Sequence, residues 1–171
     1  VVKDKGIDEL SFSFDKLTKE FKNIKLLIVG KFEEDLDPIS EESYNIVESN
    51  NNIINVGFQN DIRPFLASSD CFVLPTYREG FPNVVLQACS MELPCIISNI
   101  NGCNEIIENN TNGLIVEPKN KDELYNAMKK FLVDKSLAGK LSSNTRDDII
   151  KKHDRKQFFK CLLDEYNEIL K

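Results

Sequence analysis

The segment CFVLPTYREGFPNVVLQACSMELPCIIS, residues 71–98, decides the fold of this chain. It begins with the apolar run CFVLP, turns through REGFP, continues with helical spacing from Pro82, and ends in a second apolar run, PCIIS. Short continuous apolar runs bounded by turn residues are typical of strands that are buried on both faces of a parallel sheet. The segment therefore predicts a strand–helix–strand unit of an α/β protein.

The same alternation extends along the chain in both directions. Further apolar runs predict strands at KLLIVG from Lys25, NIINVGF from Asn52 and NGLIVEP from Asn112. Helical spacing predicts helices over 6–22, from Ser40, from Asp61, at NGCNEIIEN, at KDELYNAMKKFLVD, at about 135–151 and over 155–170. This alternation predicts a doubly wound, Rossmann-like parallel sheet with right-handed crossovers and C-terminal helices, in one domain over residues 1–171.

Composition excludes several classes of protein. The net charge of −6 leaves no general basic surface for the phosphates of a nucleic acid, so we expect no nucleic-acid partner. No apolar stretch approaches the about 18 residues that cross a bilayer. The five cysteines are odd in number and lack a C-x-x-C pair, which indicates free thiols in a reducing compartment and no metal site. The N-terminus lacks an initiator Met and a secretion leader, and we expect it to continue a longer protein.

The turn after the CFVLP run carries the chemistry. In an open parallel sheet, ligands bind beyond the carboxyl ends of the strands, where helix N-termini point their amides outward. Pro82 is expected at the first helical position, where its missing N–H costs no hydrogen bond. Gly80 allows a close backbone approach that a side chain would prevent.

We therefore predict an anion-binding helix start with free amides from Phe81, Asn83 and Val84. Glu79 precedes it as an acceptor for hydroxyl groups. Asn83 and Gln87 are four residues apart and share one helical face beside this end. Amides for anionic oxygens beside a carboxylate for hydroxyls suit a sugar phosphate.

A longer ordered series of motifs resembles the donor-binding signature of retaining glycosyltransferase family four, which has the GT-B fold. The matching positions are Pro75-Thr76, Glu79-Gly80, Ala88, Leu93-Pro94, Glu105-Ile106-Ile107 and Asn112-Gly113-Leu114. KDKGID from Lys3 is similar to the family's opening segment, and VGFQNDIRPFLASSD is similar to a further family stretch. The resemblance covers nearly the whole chain.

The resemblance implies that the chain is the nucleotide-sugar-binding half of a two-domain enzyme. Such an enzyme transfers a sugar with retention of anomeric configuration and without a metal. The nucleotide diphosphate sugar is its substrate, and no cofactor is implied. The N-terminal acceptor domain, which the family places before this half, is absent from this chain.

The resemblance also implies roles for individual residues. Glu79 matches a catalytic acid that contacts hydroxyls of the donor sugar, and the amides from Phe81 onward approach the sugar and phosphate. Lys5 matches a basic residue that holds the diphosphate. Val56 and Gly57 lie where backbone groups line the pocket for the base.

Two positions depart from the family pattern. Gln87 stands eight residues after Glu79, where the family has a glutamate that holds the ribose hydroxyls. An amide oxygen still accepts hydrogen bonds there, although without charge. The usual G-x-G after the first strand is incomplete, because the chain has GKFEED from Gly30.

The variant resembles transferases that build bacterial capsular polysaccharide, exopolysaccharide or lipopolysaccharide on lipid-linked acceptors. This implies a cytoplasmic protein at the inner face of the membrane when full length. One alternative is a sugar-nucleotide epimerase of the same architecture. Another is a non-catalytic α/β interaction module, for which EEDLD from Glu33 would supply an acidic pocket.

Overall fold

A computed structural model describes residues 1–33 and 35–170. Glu34, one of the acids considered for an acidic pocket, and Lys171 lie outside the described residues. The strands are β1 Leu26–Ile28, β2 Ile53–Asn55, β3 Phe72–Leu74, β4 Cys95–Ser98 and β5 Gly113–Val116. A 3₁₀ turn, Lys3–Lys5, precedes the helices α1 Ile7–Glu20, α2 Glu41–Ser49, α3 Arg63–Ala67, α4 Asn83–Ser90, α5 Cys103–Ile106, α6 Lys121–Val133, α7 Lys135–His153 and α8 Arg155–Ile169. Each strand and helix predicted from the sequence is present.

All strand pairs in the described residues are parallel, which confirms the predicted α/β class. Strand β1 pairs with β2, and β4 pairs with β3 on one side and with β5 on the other. Hydrogen bonding thus divides the strands into a two-stranded and a three-stranded sheet. The division falls between β1 and β3.

Helices cover both faces of the three-stranded sheet. Successive residues of β4 point to opposite faces, so Ile96 packs in one cluster with Leu124 and Met128 of α6. Its neighbour Ile97 packs in another cluster with Val85 of α4. All four residues of β4 are buried, as the continuous apolar run predicts. The doubly wound arrangement is thereby confirmed.

The first six residues cross the carboxyl ends of β1 and β3. The carbonyl of Val1 accepts the N–H of Glu33, 3.1 Å away in the loop after β1. The carbonyl of Asp4 accepts the N–H of Tyr77 at 2.7 Å and lies 3.0 Å from the hydroxyl of Thr76, both in the loop after β3. This N-terminal segment therefore holds the two loops together.

The last two helices differ in how much they bury. Helix α7 packs against α4 and buries Leu141, Thr145 and Ile149. Helix α8 buries none of its residues. Several of its apolar side chains are exposed, namely Phe158, Phe159, Leu163, Tyr166 and Ile169. No helix within residues 1–33 and 35–170 combines the length and apolar character needed to span a bilayer.

Candidate functional site

The loop between β3 and α4 holds the predicted acid, and buried contacts fix its path. Thr76 is fully buried, and its hydroxyl lies 3.1 Å from the carbonyl of Arg78 as well as against Asp4. The Arg78 guanidinium also pairs with the Asp4 carboxylate. This ion pair ties the loop to the N-terminal segment.

Two glycines, Gly6 in the N-terminal segment and Gly102 after β4, clamp this loop because each lies against one of its backbone carbonyls. A Cβ atom at Gly6 would lie 2.0 Å from the carbonyl oxygen of Pro75, and one at Gly102 would lie 2.1 Å from that of Gly80. Both glycines also have positive φ, +70° and +81°, which side chains disfavour. Sequence reasoning missed this clamp, although the KDKGID and NGCNE motifs contain the two glycines.

Helix α4 begins without a capping side chain. Pro82 is the N-cap residue with extended backbone, and the helix begins at Asn83. The prediction that Pro82 takes the first helical position is therefore wrong by one residue. Its carbonyl is needed as the acceptor for the Val85 N–H, 3.0 Å away, and its ring gives it no N–H to be satisfied.

The amides at this helix start are open. Among the described residues, no group accepts a hydrogen bond from the backbone N–H of Phe81, Asn83 or Val84. Phe81 and Asn83 are exposed, and Val84 is half-buried. Free amides at the positive end of a helix attract anionic oxygens.

Lys5 and Glu79, which the sequence placed in the site separately, meet in the structure. The Lys5 ammonium donates a hydrogen bond to Oε1 of Glu79. The Glu79 side chain is 19% exposed and that of Lys5 is 41% exposed, so a ligand can reach both. Burial, and then the negative charge of Glu79, raise the pKa of the neighbouring Cys103 thiol to about 11. A cation and a carboxylate therefore stand side by side just before the open helix start.

The predicted base-pocket residues lie at the carboxyl end of β2. Val56 donates its N–H to Ile28 at 3.0 Å and accepts the Gln59 side chain at 2.8 Å. Gly57 accepts the N–H of Gly30 at 2.8 Å. Each carbonyl keeps one lone pair for a ligand. Sequence reasoning did not single out the next residue, an aromatic ring that is 72% exposed, Phe58.

Gln87 lies on α4 one turn after Asn83, on the face that the spacing predicts. Both residues are exposed. Neither side chain makes a hydrogen bond among the described contacts, so both are available to a ligand beside the helix start. Their roles in donor binding stay predictions.

His153, the last residue of α7, packs against Phe81 just before the start of α4. Its ring lies 5.6 Å from the ring of Phe81, centroid to centroid, at 58°. Within residues 1–33 and 35–170, no group makes a hydrogen bond to its buried Nε2. Burial, and then the charge of Lys152, lower the pKa of His153. A contact between residues so far apart in the chain leaves no periodic signal in the sequence.

The described residues also contain no cluster of three His, Cys, Asp or Glu side chains suited to a metal ion. Lys5, Glu79 and Val84 line one cavity of about 1370 Å³ that extends between β1 and β3. The cavity is thus bordered by a cation, a carboxylate and free backbone amides. Those groups suit a ligand with both anionic oxygens and hydroxyls.

Comparison with known proteins identifies the family. The sequence model of one protein family, the group 1 glycosyl transferases, matches residues 1–148. The chain is 33% identical, over all of its 171 residues, to a capsular polysaccharide biosynthesis glycosyltransferase of Staphylococcus aureus, of which it covers 45%. Over 95 residues, 56% of the chain, it is 42% identical to an Escherichia coli enzyme, of which it covers 24%, the UDP-Gal:alpha-D-GlcNAc-diphosphoundecaprenol alpha-1,3-galactosyltransferase.

A solved structure agrees. The chain superposes with a TM-score of 0.81 and 25% identity on the C-terminal domain of a group 1 family glycosyl transferase from Francisella tularensis, covering 91% of the chain and 83% of that domain. The chain spans less than half the length of the two curated relatives above. With the family model matching most of its residues, the chain belongs to the group 1 glycosyl transferases.

Proposed function

We propose that this chain binds the nucleotide diphosphate sugar used by a retaining, metal-independent glycosyltransferase. In the full-length protein, the sugar is moved to a lipid-linked or saccharide acceptor in bacterial surface polysaccharide synthesis. The observation that carries the proposal is the Lys5–Glu79 pair beside the uncapped start of α4.

The Lys5–Glu79 pair and the start of α4 bind two parts of the donor, its diphosphate and its sugar. The leaving diphosphate gains negative charge as the bond to the sugar breaks. Lys5 and the amides of Asn83 and Val84 stabilise that charge, and the helix start holds the two amides in place before the reaction. When Lys5 turns to the phosphates, Glu79 is released to accept hydrogen bonds from the sugar hydroxyls.

The nucleoside end of the donor binds toward the other sheet. The side-chain oxygen of Gln87 accepts the ribose hydroxyls, and the free lone pairs of Val56 and Gly57 bind the base. An uncharged amide makes weaker hydrogen bonds to hydroxyls than a carboxylate does. We therefore expect the nucleoside to contribute less to affinity than the diphosphate does.

The printed names of the relatives support the substrate class. The Escherichia coli relative uses UDP-Gal and a diphosphoundecaprenol-linked acceptor. A comparable donor and a lipid-linked acceptor are consistent with a location at the inner face of the cytoplasmic membrane. The family match favours the transferase over the epimerase and over the interaction module. The acceptor binds to the N-terminal domain, so this chain alone binds donor and transfers little sugar.

Calorimetric titration with UDP and GDP tests the site, with Lys5→Ala and Glu79→Gln as variants. Because a charge-assisted hydrogen bond contributes about 1.5–3 kcal/mol, Lys5→Ala is expected to weaken diphosphate binding at least about tenfold. Glu79→Gln is expected to weaken binding of a UDP-sugar much more than binding of UDP, since the Glu79 carboxylate contacts only the sugar.

Two matched substitutions serve as controls. Lys3→Ala removes an exposed ammonium two residues from Lys5, and Glu48→Gln neutralises an exposed carboxylate on α2. Both are expected to leave binding unchanged. Absence of binding to either nucleotide, or equal losses in Lys3→Ala and Lys5→Ala, would contradict the proposal.

A further inference from the structure

His153 lies at the junction of the last two helices, beside the start of the candidate site. Helix α7 ends at His153, Asp154 alone separates it from α8, and α8 begins at Arg155. The carboxylate of Asp154 accepts the N–H of Lys156 at 2.6 Å and so caps α8. The position of the His153 ring is therefore set by the end of one helix and the cap of the next.

Phe81 connects this junction to the open helix start. Its ring is 42% exposed, and the His153 ring packs against it with 5.6 Å between the ring centroids. Its backbone lies against Gly102, where a Cβ atom would be 3.3 Å from Cα of Phe81. Phe81 is thus held through both its ring and its backbone. Because Pro82 follows as the N-cap of α4 with a restricted φ, a shift of Phe81 also shifts the amides of the helix start.

The contact between the two rings favours an uncharged imidazole. Among the described residues, the buried Nε2 atom of His153 has no hydrogen-bond partner. A neutral ring can carry its single proton on Nδ1, whereas an imidazolium has a proton on each nitrogen and leaves a buried N–H without an acceptor. Two charged groups also act on this proton, since Lys152 on the same helix disfavours it and Glu105 of α5 favours it. Burial has the larger influence, so protonation weakens the contact.

We propose that His153 is a positioning residue for the diphosphate of the donor. Its neutral ring holds Phe81, and with it the N–H groups of Asn83 and Val84, where they bind the phosphate oxygens. Protonation of His153 loosens this contact, so the site loses affinity for the diphosphate as the pH falls. The inference rests on the proposed function, because it concerns the same anion-binding helix start.

Binding of the diphosphate and protonation of His153 are expected to oppose each other. If protonation weakens binding of UDP about fivefold, the lower end of the usual range for coupled sites, UDP makes protonation less favourable by the same factor. Fivefold corresponds to a fall of about 0.7 pH unit in the midpoint of the His153 titration at saturating UDP. His153 is the only histidine of the chain, so its imidazole signal in NMR spectra is unambiguous.

Two variants separate the role of the ring from that of its proton. Calorimetry measures the affinity for UDP at pH 7.5 and 5.5, and circular dichroism confirms that each protein is folded. Between these pH values, UDP binding is expected to weaken at least about twofold more in the unmodified chain than in His153→Phe, whose ring takes up no proton. This comparison cancels the titration of the UDP phosphate, whose own pKa is about 6. At pH 7.5, His153→Ala is expected to bind UDP about fivefold more weakly than His153→Phe.

A control variant separates positioning from a general loss of stability. Leu141→Val truncates a fully buried side chain about three turns earlier on α7. It is expected to lower the free energy of unfolding and to leave the affinity for UDP unchanged.

The position of the helix start is also followed without a nucleotide. In the unmodified chain, the amide signals of Phe81, Asn83 and Val84 are expected to move at the midpoint of the His153 titration. Asn83 and Val84 lie two and three residues beyond the ring contact, so their signals report on the helix start rather than on the contact. The same step is expected to be absent from His153→Phe.

Different outcomes overturn this proposal and the proposed function. The positioning role is overturned by a His153 midpoint that saturating UDP leaves unchanged, by equal pH dependence of UDP binding in the unmodified chain and His153→Phe, or by a loss of affinity in Leu141→Val as large as in His153→Ala. Absence of UDP binding to the unmodified chain at pH 7.5 would contradict the proposed function instead. The three amide signals then still decide the positioning role, which is supported if they follow the His153 titration and refuted if they do not.

Discussion

The two sheets of this molecule differ in how completely their strands are covered. All four residues of β4 are buried between helices, whereas two of the three residues of β2 are exposed and Ile54 is 40% exposed. The three-stranded sheet carries the loop with Glu79, and its contacts leave no room for an added methyl group at Gly102. The loop with Glu79 is therefore closely packed against its surroundings, whereas Val56 and Gly57 follow a strand that is largely exposed.

A pair of glycine substitutions, Gly102→Ala and Gly57→Ala, gives the strongest test of this difference between the two sheets. At Gly102, positive-φ strain of about 1–3 kcal/mol adds to a clash with the Gly80 carbonyl of about 1–3 kcal/mol. We expect a loss of about 4 kcal/mol in the free energy of unfolding, measured by urea titration.

Gly57 is the matched control. It also has positive φ, +68°, but a Cβ atom there would meet nothing within 4 Å. Only backbone strain remains, so we expect a loss of about 1 kcal/mol. Equal losses at the two positions would mean that the loop after β3 is no more tightly held than the loop after β2.

A pair of core truncations sharpens the same contrast. Ile97 in β4 is fully buried and Ile54 in β2 is 40% exposed. Ile97→Ala is expected to lower the free energy of unfolding by about 3 kcal/mol, because it leaves a cavity in close-packed surroundings. Ile54→Ala is expected to lower it by less than about 1 kcal/mol.

The measurement is again urea unfolding, followed by circular dichroism. A loss for Ile54→Ala as large as that for Ile97→Ala would show that β2 is packed as firmly as β4. A changed urea dependence in either variant would indicate that the two sheets unfold separately.

The smallest effect concerns pH and the contact of His153 with Phe81. The folded protein lowers the pKa of His153, so the unfolded chain takes up the proton first as the pH falls. The contribution of His153 to stability is therefore full above its unfolded pKa of about 6.5, and it is lost as the pH falls from there through the folded pKa.

His153→Phe keeps an aromatic ring against Phe81 and removes the titration. Between pH 7.5 and 5.5 we expect the melting temperature of the unmodified chain to fall by up to about 2 °C more than that of the variant. Identical pH dependence in the two proteins would indicate that acid does not weaken this contact.

Much of the fold was predictable because its strands are short, continuous apolar runs. CFVLP and PCIIS predicted β3 and β4. The burial on both faces that such a run indicates is found throughout β4, whereas β3 is only half-buried. The separation of the strands into two sheets was not predictable, because an apolar run such as KLLIVG indicates a buried strand but not which strand pairs with it. Neighbours in a parallel sheet are distant in sequence, and no turn fixes their pairing.

The candidate site was predictable where one local segment builds it. REGFPNVVLQ predicted an open helix start with a preceding acid, and Pro82 was misplaced only because N-cap and first helical positions look alike in sequence. The sequence assigned Lys5 and Glu79 to one binding site, and their closeness was implied only by that assignment. The clamp by Gly6 and Gly102 and the packing of His153 were missed, because close approaches between distant segments leave no spacing pattern.

The exclusively parallel pairing in the described residues has a consequence for how this chain acquires its structure. No strand can find its partner through a tight hairpin, since a whole helix separates consecutive strands along the chain. Contacts between segments that are distant in the chain form late in folding. Until they form, the apolar edges of the strands stay exposed, so folding is expected to be slow and prone to aggregation. Synthesis at low temperature or with chaperones present should therefore raise the yield of native protein.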